Sequence, residues 1–225
     1  MLELNKIHCG DAKDLLGSVA DQSIDLVVTD PPYLVNYRDR DGRRVANDDN
    51  PNGVLPVFNP LARVMKRDSY LISFCGWSAL PAFGAAWQSA GLRIVGHFVW
   101  HKPYASRTNY ARYCHESAYI LAKGNPKRPS RPINDVQEWV YSGNKFHPTE
   151  KAVEILTPLI RCFSKPGDTV LDPFAGSGST CVASLLSGRQ TQGFELDARH
   201  SAKASNRITG ALRYIERREQ SRMVA

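Results

Sequence analysis

Two short stretches combine residue types and spacing that could do chemistry. The first is Asp30-Pro31-Pro32-Tyr33, directly after the β-branched run Ile24-Asp25-Leu26-Val27-Val28-Thr29. A carboxylate beside a carbonyl that prolines hold rigid, their φ being locked, makes a fixed pair of hydrogen-bond acceptors. Such a pair suits one problem in particular, an aromatic amine whose lone pair is delocalised into its ring. That amine is planar and a poor nucleophile. Acceptors held at its hydrogens, the Asp30 carboxylate and the Pro31 carbonyl, favour a more tetrahedral nitrogen and stabilise the positive charge that develops there. Pro32 keeps the turn rigid, and Tyr33 offers a ring on which a base drawn out of a duplex can stack. Taken alone, the tetrapeptide also reads as an ordinary turn at a strand end.

The second stretch, Asp172-Pro173-Phe174-Ala175-Gly176-Ser177-Gly178-Ser179-Thr180, lies between the strand signal Thr169-Val170-Leu171 and a helical run. Glycines there let the backbone come close to a ligand, and the helix behind them offers free N–H groups. About twenty residues further on, the next strand ends at Gly193-Phe194-Glu195, where nucleotide-binding α/β folds place an acid on the ribose hydroxyls. The third glycine of a pyrophosphate fingerprint is missing, because Cys181 stands in its place, and no Lys-Ser/Thr pair follows as a P-loop requires. The ligand expected is therefore a nucleoside without a phosphate chain. S-adenosylmethionine fits that description. The competing reading is a plain strand–turn–helix unit whose glycines serve packing.

Both stretches need strands to carry them. Strand signals recur at residues 24–29, 70–74, 93–100, 117–121, 169–171 and 190–194. Helical patterns fall between them, around 57–66, 80–90, 152–160 and 180–187, with a basic helical segment at 199–222. Pro158 is expected to kink or restart its helix. Alternation of strands and helices predicts an α/β fold with a mostly parallel twisted sheet. At 225 residues the chain suits a single domain, 1–225. Residues 34–60 read as a long polar loop after the first motif, and long loops at strand ends are functional or mobile. Residues 124–146 read as a second loop, rich in Pro, Arg, Asn and Gly.

Composition excludes several classes. Five scattered cysteines, with no C-x-x-C pair, argue against a disulfide framework and a zinc site, so no metal is expected. No apolar run is long enough to span a bilayer. The first six residues lack the features of a signal peptide, and a cytoplasmic location is the expectation. The net charge of +7 favours polyanions. Between Trp100 and Asn134 stand Lys102, Arg107, Arg112, Lys123, Lys127, Arg128 and Arg131 against Glu116 alone, with Tyr104, Tyr110, Tyr113 and Tyr119 interleaved. Cations mixed with stacking groups are what a nucleic-acid surface needs, although a solvated basic face with core tyrosines has the same sequence.

Together the two stretches resemble the DNA N6-adenine and N4-cytosine amino-methyltransferase family in its permuted β arrangement. There D-P-P-Y precedes F-x-G-x-G, as Asp30–Tyr33 precedes Phe174–Gly178 here. Gly10-Asp11 with Leu15-Leu16, Trp100-His101-Lys102-Pro103, and His147-Pro148-Thr149-Glu150-Lys151 resemble further family segments, in order, over nearly the whole chain. The resemblance implies a Rossmann-like, S-adenosylmethionine-dependent methyltransferase fold, circularly permuted, with helices on both faces of the sheet. It implies methyl transfer to N6 of adenine in double-stranded DNA. The alternatives are N4 of cytosine, an RNA or protein-amide methyltransferase, or an inactive DNA-binding relative. Asp30, Pro31, Pro32 and Tyr33 would form the catalytic motif. Asp11 would lie near the cofactor's adenine, His147, Thr149 and Lys151 near its methionine end, with Asp30 beside them. Asp172, Phe174, Ala175, Gly176, Ser177, Gly178, Ser179 and Thr180 would line the cofactor, with Glu195 on the ribose. Arg38, Arg43, Lys102, Arg107, Arg112, Lys127, Arg128 and Arg131 are the candidate DNA contacts. Residues 124–146 stand where many relatives carry a target-recognition domain and are too short to form one. Base readout must then come from short loops, from residues 34–60 or from a second subunit, and a homodimer in which one subunit helps the other to grip DNA is one expectation.

Overall fold

The computed structural model describes residues 2–36, 46–143 and 150–223, apart from the side chains of Arg107 and Met223. Among these residues the chain forms, in order, β1 (Lys6–Cys9), α1 (Ala12–Leu16), β2 (Ile24–Thr29), α2 (Pro51–Val54), α3 (Phe58–Val64), β3 (Met65–Phe74), α4 (Leu80–Ser89), β4 (Leu92–His101), β5 (Arg107–Thr108), β6 (Arg112–Tyr113), β7 (His115–Lys123), β8 (Val136–Glu138), α5 (Val153–Phe163), β9 (Thr169–Asp172), α6 (Ser179–Leu186), β10 (Gln190–Glu195) and α7 (Ala198–Met223).

The main sheet runs β1-β10-β9-β2-β3-β7-β4-β8. Within it β7 alone opposes its neighbours, pairing antiparallel with β3 and β4. Strand β2 shows why the centre of the sheet reads as a continuous apolar run. Its Ile24 and Val27 enter the core under α1, α3 and α4, while Leu26 and Val28 enter the core under α5. Both faces are covered, so both sets of alternating side chains must be apolar. Phe58, Phe83 and Trp87 lock the first layer through edge-to-face contacts of 5.7–6.0 Å. A third cluster joins Ile7 of β1 to Cys181, Val182 and Leu185 of α6 and to Ala204 and Ile208 of α7. The fold is a mostly parallel, Rossmann-like sheet with helices on both faces. Strands β2 and β9 are direct neighbours, with Leu26 level with Val170 and Val27 level with Leu171. Their carboxyl ends therefore open on the same rim, where parallel sheets bind ligands.

The structure departs from the sequence reading in four places. The loop expected at 34–60 gives way to helix at Pro51, with Asn50 capping α2 by accepting from the Asn52 N–H at 3.1 Å. Val54, Val57 and Phe58 are fully buried there, so a short apolar run inside a polar segment decides the matter. Residues 37–45 of that loop lie outside the described residues. The expected 124–146 loop contains β8, which pairs parallel with the end of β4. Pro158 lies inside α5, so the helix is not restarted there; the ring costs it the backbone bond to the Glu154 carbonyl. Tyr119, read among the interleaved surface aromatics, packs on Trp87 and His97 at centroid distances of 5.6 and 5.0 Å. Among the described residues no helix is long and apolar enough to cross a membrane.

Candidate active site

Asp30 stands one residue beyond β2, at the rim shared with β9. Both of its carboxylate oxygens are engaged. Tyr33 donates its hydroxyl to Oδ1 at 2.8 Å, and Lys151 donates from Nζ to Oδ2 at 2.6 Å. The Lys151 ammonium also lies 5.0 Å from the Phe74 ring centroid and 5.6 Å from that of Tyr33. Behind Tyr33 stands Glu116, whose Oε2 is 3.5 Å from the phenol oxygen. Glu116 is paired in turn with Lys102, and Lys102 donates to the Ser106 hydroxyl at 2.7 Å. The result is a buried chain of two ammoniums and two carboxylates with matched charge.

Burial and partners compete at each of these groups. Burial pushes the Asp30 carboxyl up, with Lys151 pulling the other way. At Lys151 burial works to discharge the amine, but Asp30 and Glu116 outweigh it and the ammonium is held above its ordinary range. At Glu116 burial is likewise outweighed, by Lys151 and Lys102, and the carboxyl sits below its ordinary range. Burial, then the two nearby carboxylates, pushes the Tyr33 phenol well above its usual range, so it acts as a neutral donor.

The glycine turn forms the other wall. Gly176 and Gly178 have φ of 51° and 76°, a region that side chains other than glycine rarely adopt. A Cβ on Gly178 would also meet the Ala204 Cβ at 3.1 Å. Glu195, at the end of β10, accepts from the Gly176 N–H at 2.9 Å and the Asp197 N–H at 2.8 Å, fixing the turn and its own orientation. Asp172 accepts from the Phe174 N–H at 3.1 Å. Burial pushes the Asp172 carboxyl up to about 7. From behind, Arg207 of α7 bonds the Ser177 carbonyl at 2.8 Å and Glu150 at 2.9 Å. One pocket joins the two walls, lined by Asp30, Phe74, Glu150, Lys151, Asp172, Phe174, Ala175, Gly176, Ser177, Ser179 and Thr180, together with Thr29 and Leu156.

Most of the residues expected from sequence are therefore brought together. Gly178 sits in the turn itself and Glu195 beneath it. Asp11 caps α1, accepting from the Lys13 N–H at 2.9 Å, while the adjacent Gly10 donates to the Glu195 carbonyl at 2.9 Å. His147, Thr149, Arg38 and Arg43 lie outside the described residues, as does the side chain of Arg107. Glu116, Phe74, Glu150 and Arg207 were not singled out from sequence. For Glu116 a signal existed, since it is the lone acid in a run of cations.

The expected basic track does not survive as one surface. Lys102 is 6% exposed and paired with Glu116, so it is not presented to phosphate. Arg112 is exposed on β6, near the pocket end of the sheet. Lys127, Arg128 and Arg131 are exposed at the other end. Tyr70 bonds the Lys127 carbonyl at 3.1 Å, and Tyr70 is level with Leu26, four residues and about 13 Å below Asp30. The chain doubles back through β7, so cations adjacent in sequence end up at opposite ends of the sheet.

Comparison with known proteins agrees with this arrangement. The family model described as DNA methylase, of the N6/N4 methyltransferases, matches residues 24–206. YubD of Escherichia coli (strain K12), which carries a methylase name, is 46% identical over 207 residues, covering 92% of this chain and 91% of that protein. A DNA modification methylase of Thermus thermophilus, solved in complex with S-adenosyl-L-methionine, superposes with a TM-score of 0.72 at 23% identity, covering 92% and 93% of the two chains. The cytosine-N4-specific PvuII DNA methyltransferase superposes with a TM-score of 0.73 at 17% identity, covering 91% and 90%. With D-P-P-Y and the glycine turn on one pocket, and the family match running through both, the chain belongs to the N6/N4 DNA methylase family.

Proposed function

We propose that the protein transfers a methyl group from S-adenosylmethionine to N6 of adenine in double-stranded DNA. The observation that carries this reading is the shared pocket, in which Asp30 faces the glycine turn. Bound there, S-adenosylmethionine would supply an electrophilic methyl on a cationic sulfonium. Gly176–Thr180 would cradle it, with Glu195 on the ribose, Phe174 on the base and Lys151 near the carboxylate. Asp11 would lie beside the adenine. The free lone pairs of Asp30 and the Pro31 carbonyl would accept the two hydrogens of the target amine. Asp30, its carboxyl raised by burial, is placed to take the proton that the amine sheds. The chain order, D-P-P-Y before the glycine turn, is read as the permuted β arrangement.

Adenine is favoured because Asp at the head of D-P-P-Y is commoner in adenine enzymes of the family. Cytosine N4 is the second reading, favoured by the likeness to the PvuII enzyme. Incubation of unmethylated plasmid DNA with labelled cofactor, then nucleoside chromatography, should yield N6-methyladenine. N4-methylcytosine would transfer the reading to cytosine, and label on RNA or protein alone would remove DNA as substrate. Sedimentation of the same preparation tests the homodimer, which a fully active monomer would exclude.

Asp172 makes cofactor binding pH-dependent. Its folded pKa, about 7, lies above the ordinary 3.8. Its contribution to stability in the free protein is therefore present below the ordinary value and lost as pH rises through about 7. A bound cation has the opposite preference and favours the ionised carboxyl. Cofactor affinity should therefore rise about tenfold between roughly pH 6 and 8, one pKa unit being tenfold. Asp172→Asn should flatten that rise in calorimetric titrations compared with wild type. An unchanged slope in the variant would detach the effect from Asp172.

A further inference from the structure

The ribbon between β4 and β7 is the part of the molecule that the pocket chemistry leaves unexplained. Strands β5 and β6 pair antiparallel, Arg107 opposite Tyr113 and Thr108 opposite Arg112, and the turn closes with Asn109 donating to the Ala111 carbonyl at 3.1 Å. Tyr110 occupies the tip and is 96% exposed. A single exposed aromatic is ordinary. This one is mounted on a braced support beside the active site.

Bracing acts at two levels. At the root, Lys102 donates its N–H to the Cys114 carbonyl at 2.7 Å and its ammonium to Ser106 and Glu116. Glu116 touches the Tyr33 hydroxyl, which in turn bonds Asp30, so the ribbon is tied to the catalytic motif. Higher up, Tyr113 stacks on Trp77 with centroids 5.7 Å apart and planes at 23°. From Tyr113 to Tyr110 is three residues, so the tip stands about 10 Å beyond this brace. From Pro103 to Cys114 the sequence contains Arg107 and Arg112 and no acidic residue. The support is rigid, free of negative charge and ends in a flat ring.

The site's chemistry needs a target base outside the helix, and a base that leaves opens a gap in the stack. We infer that the 103–114 ribbon enters duplex DNA at the target site, with Tyr110 stacking in the gap that the departing base leaves and Arg112 on the adjoining phosphate. This rests on the reading of the protein as a DNA methyltransferase.

Aromatic–base stacking is sequence-tolerant, and losing it costs about tenfold to a hundredfold. The test uses a short duplex centred on the sequence in which the methylated base is found, and the same duplex with an abasic nucleotide opposite the target. Tyr110→Ala should lower kcat/KM on the paired duplex by about tenfold to a hundredfold, whereas Tyr110→Phe should retain it. On the abasic duplex, where the target is already unpaired, most of the loss should disappear. Equal losses on both duplexes, or a change in oligomeric state that accounts for them, would overturn the wedge role. So would undiminished activity of Tyr110→Ala on the paired duplex. Wild-type protein that methylates no sequence in unmethylated plasmid DNA, so that no such duplex can be drawn, would overturn the underlying reading as well. Because Tyr110 is solvent-exposed, cofactor affinity and melting temperature should match wild type in both variants.

Discussion

Asp30→Asn should lower the single-turnover rate of methyl transfer by about 10²–10³-fold, the cost of removing one fixed group aimed at developing charge. The substitution keeps the shape of the side chain and changes two things. The carboxylate charge that opposes a cationic nitrogen is lost, and an amide N–H₂ can replace an acceptor oxygen. It also strips Lys151 of its 2.6 Å partner, leaving that ammonium to Glu116, which already holds Lys102. Cofactor affinity should fall by no more than about tenfold: the variant loses a carboxylate facing the cationic sulfonium and the charged partner of Lys151, but the glycine turn and Glu195 are held by bonds that do not pass through Asp30. Calorimetry with S-adenosylmethionine and rapid-quench measurement on plasmid DNA separate the two quantities. A variant that turns over within a few-fold of wild type would remove Asp30 from the chemistry. Equal losses of rate and cofactor binding would instead make it a structural residue of the pocket.

What sequence alone could disclose depends on how local the cause is. The β2 run and Asp30 are legible because a strand buried on both faces must be apolar throughout, and two prolines must end it. The turn at Gly176 and Gly178 is legible because positive φ selects glycine within a few residues. Glu195 is found by its distance along one strand–helix–strand unit. Glu116 is different. It comes within reach of Tyr33 because β7 pairs antiparallel with β3, the neighbour of β2, with Ala118 set opposite Phe74 two residues from Glu116. No periodicity within 115–123 encodes that pairing. Arg207 stands in a basic helix whose cations look alike in sequence; packing of α7 on α6 selects the one aimed at Ser177. The basic track fails for the converse reason, since neighbours in sequence are parted when the chain runs down β7 and returns through β8. Strand β8 itself, three residues on an edge, is too short to show a pattern.

Arg207→Met should lower stability by about 3 kcal/mol, near the lower end for breaking a buried ion pair, because Glu150 retains other interactions. In a chain of this size that amounts to about 6–12 °C in Tm. Methionine keeps much of the apolar stem, so the loss reports on the guanidinium. Arg207 is 17% exposed on its side chain and Glu150 5%, and the pair joins α7 to the segment that carries Lys151. The same guanidinium holds the Ser177 carbonyl at 2.8 Å and the Ser179 hydroxyl at 3.2 Å. Two effects should therefore separate in a double variant. Arg207→Met with Glu150→Gln also removes the carboxylate charge that the guanidinium balances and should recover much of the lost stability, as replacement of both partners often does. It cannot restore the brace behind the turn, so cofactor affinity should remain about tenfold below wild type. If the double variant recovers affinity together with Tm, Arg207 serves only to neutralise Glu150. If it recovers Tm alone, the cation on α7 sets the shape of the cofactor turn.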